Sequence, residues 1–491
     1  MLSLAQRATN HPQRTAILSD GTSYSYEQLL DASARTSLAL LNGQDDLQEA
    51  RVAFMVNPGF DYVRTQWGIW RAGGVAVPLC INYPLPSLAY VIEDAQAAIV
   101  VAGPEYYELL APYAQEKSLR LLRSDALSAT SGTLPDVSAD RRAMILYTSG
   151  TTGQPKGVVT THRALNAQIT ALTDAWEWQA DDHILNVLPL HHVHGIINVT
   201  SCALWSGACC QFLPKFSPEV VFDVFLEGQV NVFMAVPTIY YKLIAYWESL
   251  SNDEQHRLSE RMREFRLMVS GSAALPVSVM EQWQGISGQT LLERYGMTEI
   301  GMAISNPYRG ERVPGHIGQP LPRVMIRLNR DDDAKDDPAA PGEIQIKGPN
   351  VFAEYWNRPE ATAAAFTDDG WFRSGDVAVL DEGSYRILGR NSVDIIKSGG
   401  YKISALEIEE VLRTHPQVQD GAVVGLPDEE WGEVVAACLV APADLDTAAL
   451  TAWLGERLPR YKTPRRFLVR DELPRNAMGK GTKPAVKELF V

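Results

Sequence analysis

The 491-residue chain has little cysteine: Cys80, Cys202, Cys209, Cys210 and Cys438, with no Cys-x-x-Cys pair among them. That rules out a disulfide scaffold and a cysteine-built zinc site, and a sparse odd set reads as reduced thiols in the cytoplasm. Positive charge is also short. There are 44 Lys and Arg against 59 Asp and Glu, a net charge of −15, which argues against nucleic acid as a general partner. No apolar run is long enough to cross a bilayer, since the stretch 184–212 is interrupted by His, Pro and Asn, so no membrane partner is expected. Residues 1–19 carry no acidic side chain, a composition that transit peptides share. Residues 15–18 and 24–27 nevertheless read as a strand and a helix start, so no removable leader is expected. No internal repeat of solenoid period is present, and a monomer and a homodimer both remain open.

A chain this long exceeds one ordinary core, and 46% apolar with 21% charged residues is a globular composition. Strand-like runs at 52–55, 75–79 and 98–101 alternate with helical patterns at 61–71 and 86–94. A second series of strands follows at 184–188, 208–213, 232–236 and 267–270. Such alternation predicts parallel β/α units. The polar stretch 330–342 reads as a solvated turn, and the period-two runs at 342–347 and 383–388 predict a smaller β subdomain. Beyond Gly389-Arg390 comes a helix at 404–414, strands at 420–426 and 434–441, and a helix at 447–458. The expected fold class is α/β: a large N-terminal domain, residues 1–390, of two β/α subdomains plus a small β subdomain. A mobile α+β C-terminal domain, residues 391–491, follows a hinge near 390–394.

One loop commands the chain. Residues 147–157 read Tyr-Thr-Ser-Gly-Thr-Thr-Gly-Gln-Pro-Lys-Gly, directly after the apolar run 143–146. Gly150, Gly153 and Gly157 permit close backbone approach. Thr148, Ser149, Thr151 and Thr152 bring hydroxyls and Lys156 a cation, a set suited to phosphate oxygens. The Gly-Lys-Ser/Thr ending of the common phosphate loop is missing, so this is a different motif.

Other stretches carry chemistry. Residues 293–299, Glu-Arg-Tyr-Gly-Met-Thr-Glu, put the carboxylate of Glu299 after a Gly-bearing turn, where it suits Mg2+, and offer the flat face of Tyr295 to a base. An ordinary helix start capped by Thr298 and Glu299 is the plain alternative. Residues 270–276, Ser-Gly-Ser-Ala-Ala-Leu-Pro, end a strand and open a helix whose N–H groups can meet adenine or a carboxylate. Asp376 closes Gly-Trp-Phe-Arg-Ser-Gly-Asp, which by itself reads as a turn. His191, His192 and His194 invite a zinc reading, but no cysteine or carboxylate lies at ligand spacing and three such neighbours cannot face one way. The basic stretch 474–480, ending on Lys480, would alone pass for a flexible tail.

In this order the motifs resemble those of the acyl-adenylate-forming superfamily of acyl-CoA synthetases, adenylation domains of peptide synthetases and luciferases. The resemblance runs the full chain and is strongest to the malonyl-CoA synthetase subgroup. It implies ATP and CoA as substrates with Mg2+ as cofactor. It assigns nucleotide contacts to the loop residues above and to Ser272, Ala273, Ala274, Glu293, Arg294, Tyr295, Gly296, Met297 and Thr298. Tyr295 would pack on adenine, Asp376 and Arg390 would hold the ribose, and Glu299 with Thr148 would hold the metal. His192 would gate the acyl site, which Ser270, Gly271, Ser272 and Met297 line. Lys480 would bridge the carboxylate and the α-phosphate. Lys397, Ser398, Gly399, Gly400, Tyr401 and Lys402 would turn in for the thioester step and meet CoA. There are two departures. Many acyl-CoA synthetases have Lys-Asp after the Gly-Arg of the hinge, where this chain has Asn391, Ser392, Val393 and Asp394. Bacterial malonate enzymes tend to carry Arg in the acyl pocket where Lys242 stands.

The implied reaction joins a carboxylate to AMP with loss of pyrophosphate, then passes the acyl group to CoA. Arg294 points to a short dicarboxylate, malonate first and methylmalonate second. A guanidinium beside the adenine-packing Tyr295 is costly to bury unpaired, and a second substrate carboxylate would pair it, with Lys242 as a further cation. Pairing of Arg294 with Glu293 is the alternative. A short monocarboxylate ligase, a carrier-protein-loading adenylation domain, a luciferase-like oxygenase and a non-catalytic nucleotide-binding protein are the other readings.

Overall fold

Four sheets carry the chain, and the two largest are parallel at their centres. The computed structural model describes residues 2–148, 154–213, 215–330, 335, 337–391, 393–398, 401–475 and 482–490. In the first sheet the strands Arg51–Met55, Val75–Pro78 and Ile99–Ala102 are buried at every residue but Arg51. Continuous burial is what strands covered on both faces require. The helices Phe60–Arg71 and Leu85–Asp94 make the crossovers between them. This seven-stranded sheet ends in Arg142–Thr148, Lys156–Thr161 and the two-residue strand Glu354–Tyr355.

The second sheet has nine strands. Thr15–Ser19, Cys209–Phe212, His183–Asn186, Val232–Ala235, Leu267–Ser270 and Leu292–Met297 form its parallel centre. The third is antiparallel, built from Met325–Asn329, Gly342–Lys347, Phe372–Asp381 and Ser384–Arg390. The last is a separate five-stranded sheet made of segments between Ile395 and Arg470, with the helices Ala405–Arg413 and Thr447–Gly455. The chain changes sheets between Arg390 and Ile395. The outcome is the expected α/β fold with a large N-terminal and a small C-terminal domain.

Three local features matter at the site. The stretch after the loop returns as a strand before the helix that starts at His162. Lys156–Thr161 turns back antiparallel, pairing Thr148 with Lys156 and Tyr147 with Gly157, before Thr161 caps the helix His162–Ala175 with its side chain. The segment 270–276 does not open a helix at once, because the helix begins at Val277 behind Pro276. Finally, Glu299 lies in neither a helix nor its cap but in the turn of the antiparallel pair Leu292–Met297 and Gly301–Ser305. A Cβ at Gly296 would lie 2.0 Å from the Gly301 carbonyl, so this hairpin closes only around glycine.

Candidate active site

The phosphate corner begins at the paired ends of two strands. The Thr148 hydroxyl donates to the Lys156 carbonyl at 3.5 Å. The corner is braced from behind. Tyr147 donates its hydroxyl to Asp94 at 2.8 Å, Tyr90 to the Pro155 carbonyl at 2.8 Å, and Arg358 pairs with Asp94 at 2.8 Å. The Lys156 ammonium stands 5.1 Å from the centre of the Tyr355 ring. The Tyr355 hydroxyl donates to Glu299 Oε1 at 2.8 Å. Burial raises the Glu299 carboxyl above the ordinary carboxylate range, so a cation brought to it relieves a real cost. Among the described residues no group of three His, Cys, Asp or Glu can hold a metal. One buried carboxylate beside a hydroxyl fits Mg2+ that arrives with phosphate oxygens and water, rather than an all-protein cage.

The corner at Asp376, expected to meet ribose, is paired within the protein. Asp376 and Arg390 face each other across neighbouring strands. Asp376 accepts from the Tyr295 hydroxyl at 2.6 Å and from Arg390 Nε at 3.1 Å, while its own N–H donates to Ser374 Oγ at 3.1 Å. Burial works against the Arg390 charge, but Asp376 more than offsets it and the guanidinium is held above its usual range.

The cluster around Arg294, expected to line the acyl site, is the opposite case. Arg294 is 3% exposed and no ion pair is found for it among the described residues, Glu293 included. Alternation along the strand sends the two side chains to opposite faces. Arg294 Nη2 donates to Ser272 Oγ at 3.3 Å, and its buried Nε has no hydrogen-bond partner. Burial lowers its pKa to about 9. The guanidinium lies so close over Gly271 that a Cβ there would stand 2.4 Å from Cζ. Ser272 holds φ +68, a left-handed strain found at functional positions, and meets His194 Nδ1 at 3.2 Å. Ser272 Oγ can accept from Arg294 and donate to His194 Nδ1, and in that tautomer the imidazole proton sits on Nε2. That nitrogen is buried and has no hydrogen-bond partner, and burial followed by the Arg294 charge keeps the ring neutral. Ser270 Oγ is likewise buried without a partner. The pocket therefore presents hydrogen-bond donors, the arginine cation among them, and no paired anion.

Among the other expected residues, the His192 ring is tilted by 48° against that of His191 with centres 4.0 Å apart, and its charge bears on His194. Lys242 is exposed on the helix Pro237–Glu248, over the Phe216 ring at 6.0 Å, which contrasts with the buried Arg294. Ala273 and Ala274 are exposed, while Met297 and Thr298 are half-buried. Lys397 is exposed on the strand Ile395–Ser398, next to buried Ser398, and the Lys397 N–H donates to Glu433 at 2.8 Å. Tyr401 is exposed and stacks on Tyr461 with ring centres 4.4 Å apart. Lys402 pairs with Lys397 in the strand Tyr401–Ser404. Ser149, Gly150, Thr151, Thr152, Gly153, Gly399, Gly400 and Lys480 fall outside the described residues. Sequence reasoning missed His194 and Tyr355. His194 had a signal in the histidine cluster, but its neighbour was chosen. Tyr355 had none, standing 56 residues from the carboxylate it serves.

A glycine- and hydroxyl-rich loop between paired strands of the first sheet, a buried carboxylate in a turn of the second and a paired Asp–Arg corner on the third fit a nucleotide-dependent activating enzyme. The chain belongs to the AMP-binding enzyme family: residues 4–356 match that family and residues 407–480 match the AMP-binding enzyme C-terminal domain. It is 44% identical to the malonate–CoA ligase ACSF3 of Bos taurus, named mitochondrial, over 99% of this chain and 90% of the relative. It is 40% identical to the malonate–CoA ligase of Arabidopsis thaliana, over 98% of this chain and 87% of that one. Among solved structures, ATP-bound MatB from Rhodopseudomonas palustris superposes with a TM-score of 0.90 at 35% identity, covering 100% of this chain and 99% of that one. Among the described residues no helix is long and apolar enough to cross a membrane.

Proposed function

We propose that the chain is an AMP-forming acid–thiol ligase that activates malonate. The carrying observation is Arg294, a buried cation with no carboxylate partner among the described residues, within the strand that presents Tyr295. A distal carboxylate supplies the missing partner, accepting from Arg294 and, in the tautomer protonated on Nε2, from His194. A monocarboxylate would leave both donors buried and unmet. The malonate–CoA ligase names of the relatives support the same reading.

In the first step an oxygen of the other carboxylate attacks the α-phosphorus, and the bond to the pyrophosphate oxygen breaks. The acid is already an anion, so no general base is called for; positioning and charge do the work. Lys156 and Thr148 hold phosphate oxygens, Asp376 and Arg390 hold the ribose, and Lys480 bridges the carboxylate and the α-phosphate. Glu299 would hold Mg2+, which when bound would supply charge neutralisation. In the second step the CoA sulfur attacks the acyl carbonyl and AMP leaves.

Two domain orientations, with a hinge near 390–394 between residues 1–390 and 391–491, divide these steps. The change of sheets after Arg390 supports this, as does the link across the boundary from the Val277 N–H to Glu410 at 3.3 Å. So do TM-scores of 0.90 to ATP-bound and 0.82 to apo MatB. Lys480→Ala should abolish acyl-AMP formation and still convert supplied acyl-AMP to acyl-CoA; equal loss of both half-reactions overturns the division. The five unpaired cysteines suit a reducing compartment, a broader reading than the cytoplasm and one that accommodates the mitochondrial names. The deciding experiment for the function is a panel of acids with ATP and CoA, reading pyrophosphate and acyl-CoA. Malonate should lead, methylmalonate should follow, and acetate and butyrate should trail. Preference for butyrate overturns the dicarboxylate reading.

A further inference from the structure

The segment 352–356 stitches together the two parts of the site that carry opposite charge. On one side Ala353 N–H donates to the Val159 carbonyl at 2.9 Å and Trp356 N–H to the Gly157 carbonyl at 2.8 Å, along the strand that begins at Lys156. On the other side Phe352 N–H donates to the Glu299 carbonyl at 2.7 Å. Tyr355 stands between them. Its ring face meets the Lys156 ammonium at 5.1 Å and its hydroxyl meets Glu299 Oε1 at 2.8 Å. Among the described residues no ion pair within 4.0 Å joins Lys156 to Glu299. Tyr355 touches both groups, and a Lys156 paired directly with Glu299 would leave neither charge free for an incoming nucleotide and its cation. The ring offers the lysine a quadrupole to rest on, and the hydroxyl offers the carboxylate a donor.

We propose that Tyr355 is a positioning residue that keeps Lys156 and Glu299 apart and aimed, so that a nucleoside triphosphate and its divalent cation meet both charges unpaired. The proposal rests on the reading of Lys156 as a phosphate ligand and Glu299 as a metal ligand. Its parts are separable. Tyr355→Phe keeps the face and loses the hydroxyl. Tyr355→Leu loses both and lets Lys156 close on Glu299.

The test is calorimetric titration of the full chain with ATP, with Mg2+ and with a chelator, alongside the Mg2+ dependence of pyrophosphate release. Tyr355→Phe should bind ATP without Mg2+ about as wild type does and should need roughly tenfold more Mg2+ for half-maximal release, the cost typical of removing a group that orients a metal ligand. Tyr355→Leu should bind ATP more weakly even without Mg2+, and adding Glu299→Gln should restore that metal-free affinity by freeing Lys156. An unchanged Mg2+ requirement in Tyr355→Phe overturns the proposal. So does an equal loss of ATP affinity with and without Mg2+, or a collapse of its melting temperature, since each marks a merely structural role. If wild-type ATP binding is indifferent to Mg2+, the assignment of Glu299 falls and the proposal with it. If wild type binds Mg2+ and ATP but activates no acid, the ligase reading falls while the calorimetry still decides the role of Tyr355.

Discussion

Tyr295 stands between two arginines that the fold treats in opposite ways. On the ribose side, Arg390 has Asp376 at 3.1 Å, and the tyrosine hydroxyl completes the carboxylate's bonds at 2.6 Å. On the acyl side, Arg294 is buried deeper and has a serine hydroxyl at 3.3 Å. The first corner is finished before any ligand arrives. The second is left open at a cost, because a buried charge without a counter-charge is expensive. Complete pairing suits a group common to every turnover, such as ribose. An unmet cation suits the group that must be told apart from close analogues, because the penalty for the wrong acid is then a charge left buried.

The hardest blow to this contrast is Arg294→Ala. It should lower kcat/KM for malonate by roughly two to three orders of magnitude, on a loss of about 2–5 kcal/mol for a buried charged contact, and leave acetate nearly untouched. A uniform fall across acids would break the comparison. Asp376→Asn should act the other way round, lowering all acids alike by about ten- to a hundredfold, on about 1–3 kcal/mol for an unmet buried partner, mainly through ATP binding.

Stability sharpens the same contrast. Arg294→Met should melt higher than wild type while losing malonate activity, and Asp376→Asn should melt lower, each by about 1–3 kcal/mol in unfolding experiments. Titration gives a subtler test. With its pKa lowered to about 9 in the empty pocket, Arg294 loses its charge as pH rises through that value. The malonate KM should therefore climb above about pH 9 while the ATP KM stays flat. Glu293 gives the smallest signal. Burial raises its carboxyl from 4.5 to about 8, so its contribution to stability is full below 4.5 and is lost as pH rises through 8. Glu293→Gln, which keeps an acceptor for the Leu275 N–H, should match wild type near pH 5 and melt higher than wild type at pH 9.

Much of the framework was readable from local pattern. Val52, Val75 and Ile99 mark strands because continuous burial leaves continuous apolar runs. The antiparallel return of Lys156–Thr161 onto Arg142–Thr148 was not readable, since it depends on pairing between strands rather than on composition. Thr15–Ser19 lies beside Cys209–Phe212, and no local signal reports a partner almost two hundred positions away. At the site, residue types suggested chemistry: hydroxyls and Lys156 suit phosphate, Glu299 a cation, Arg294 an anion. The histidine choice shows the limit, because His191, His192 and His194 are equivalent in sequence, and the residue that meets Ser272 is set by how the turn before the buried wide helix His194–Ser201 packs.

The sequence by itself determined which chemistries were available and in what order along the chain, because those follow from side-chain type and from strand and helix periods a few residues long. Tertiary structure alone decided which charges are paired and which are left unmet. Tyr295 meets Asp376 across 81 positions, His194 meets Ser272 across 78, and Tyr355 meets Glu299 across 56. Pairing depends on burial and on distances of about 3 Å, and only the closed sheets bring such distant groups that near.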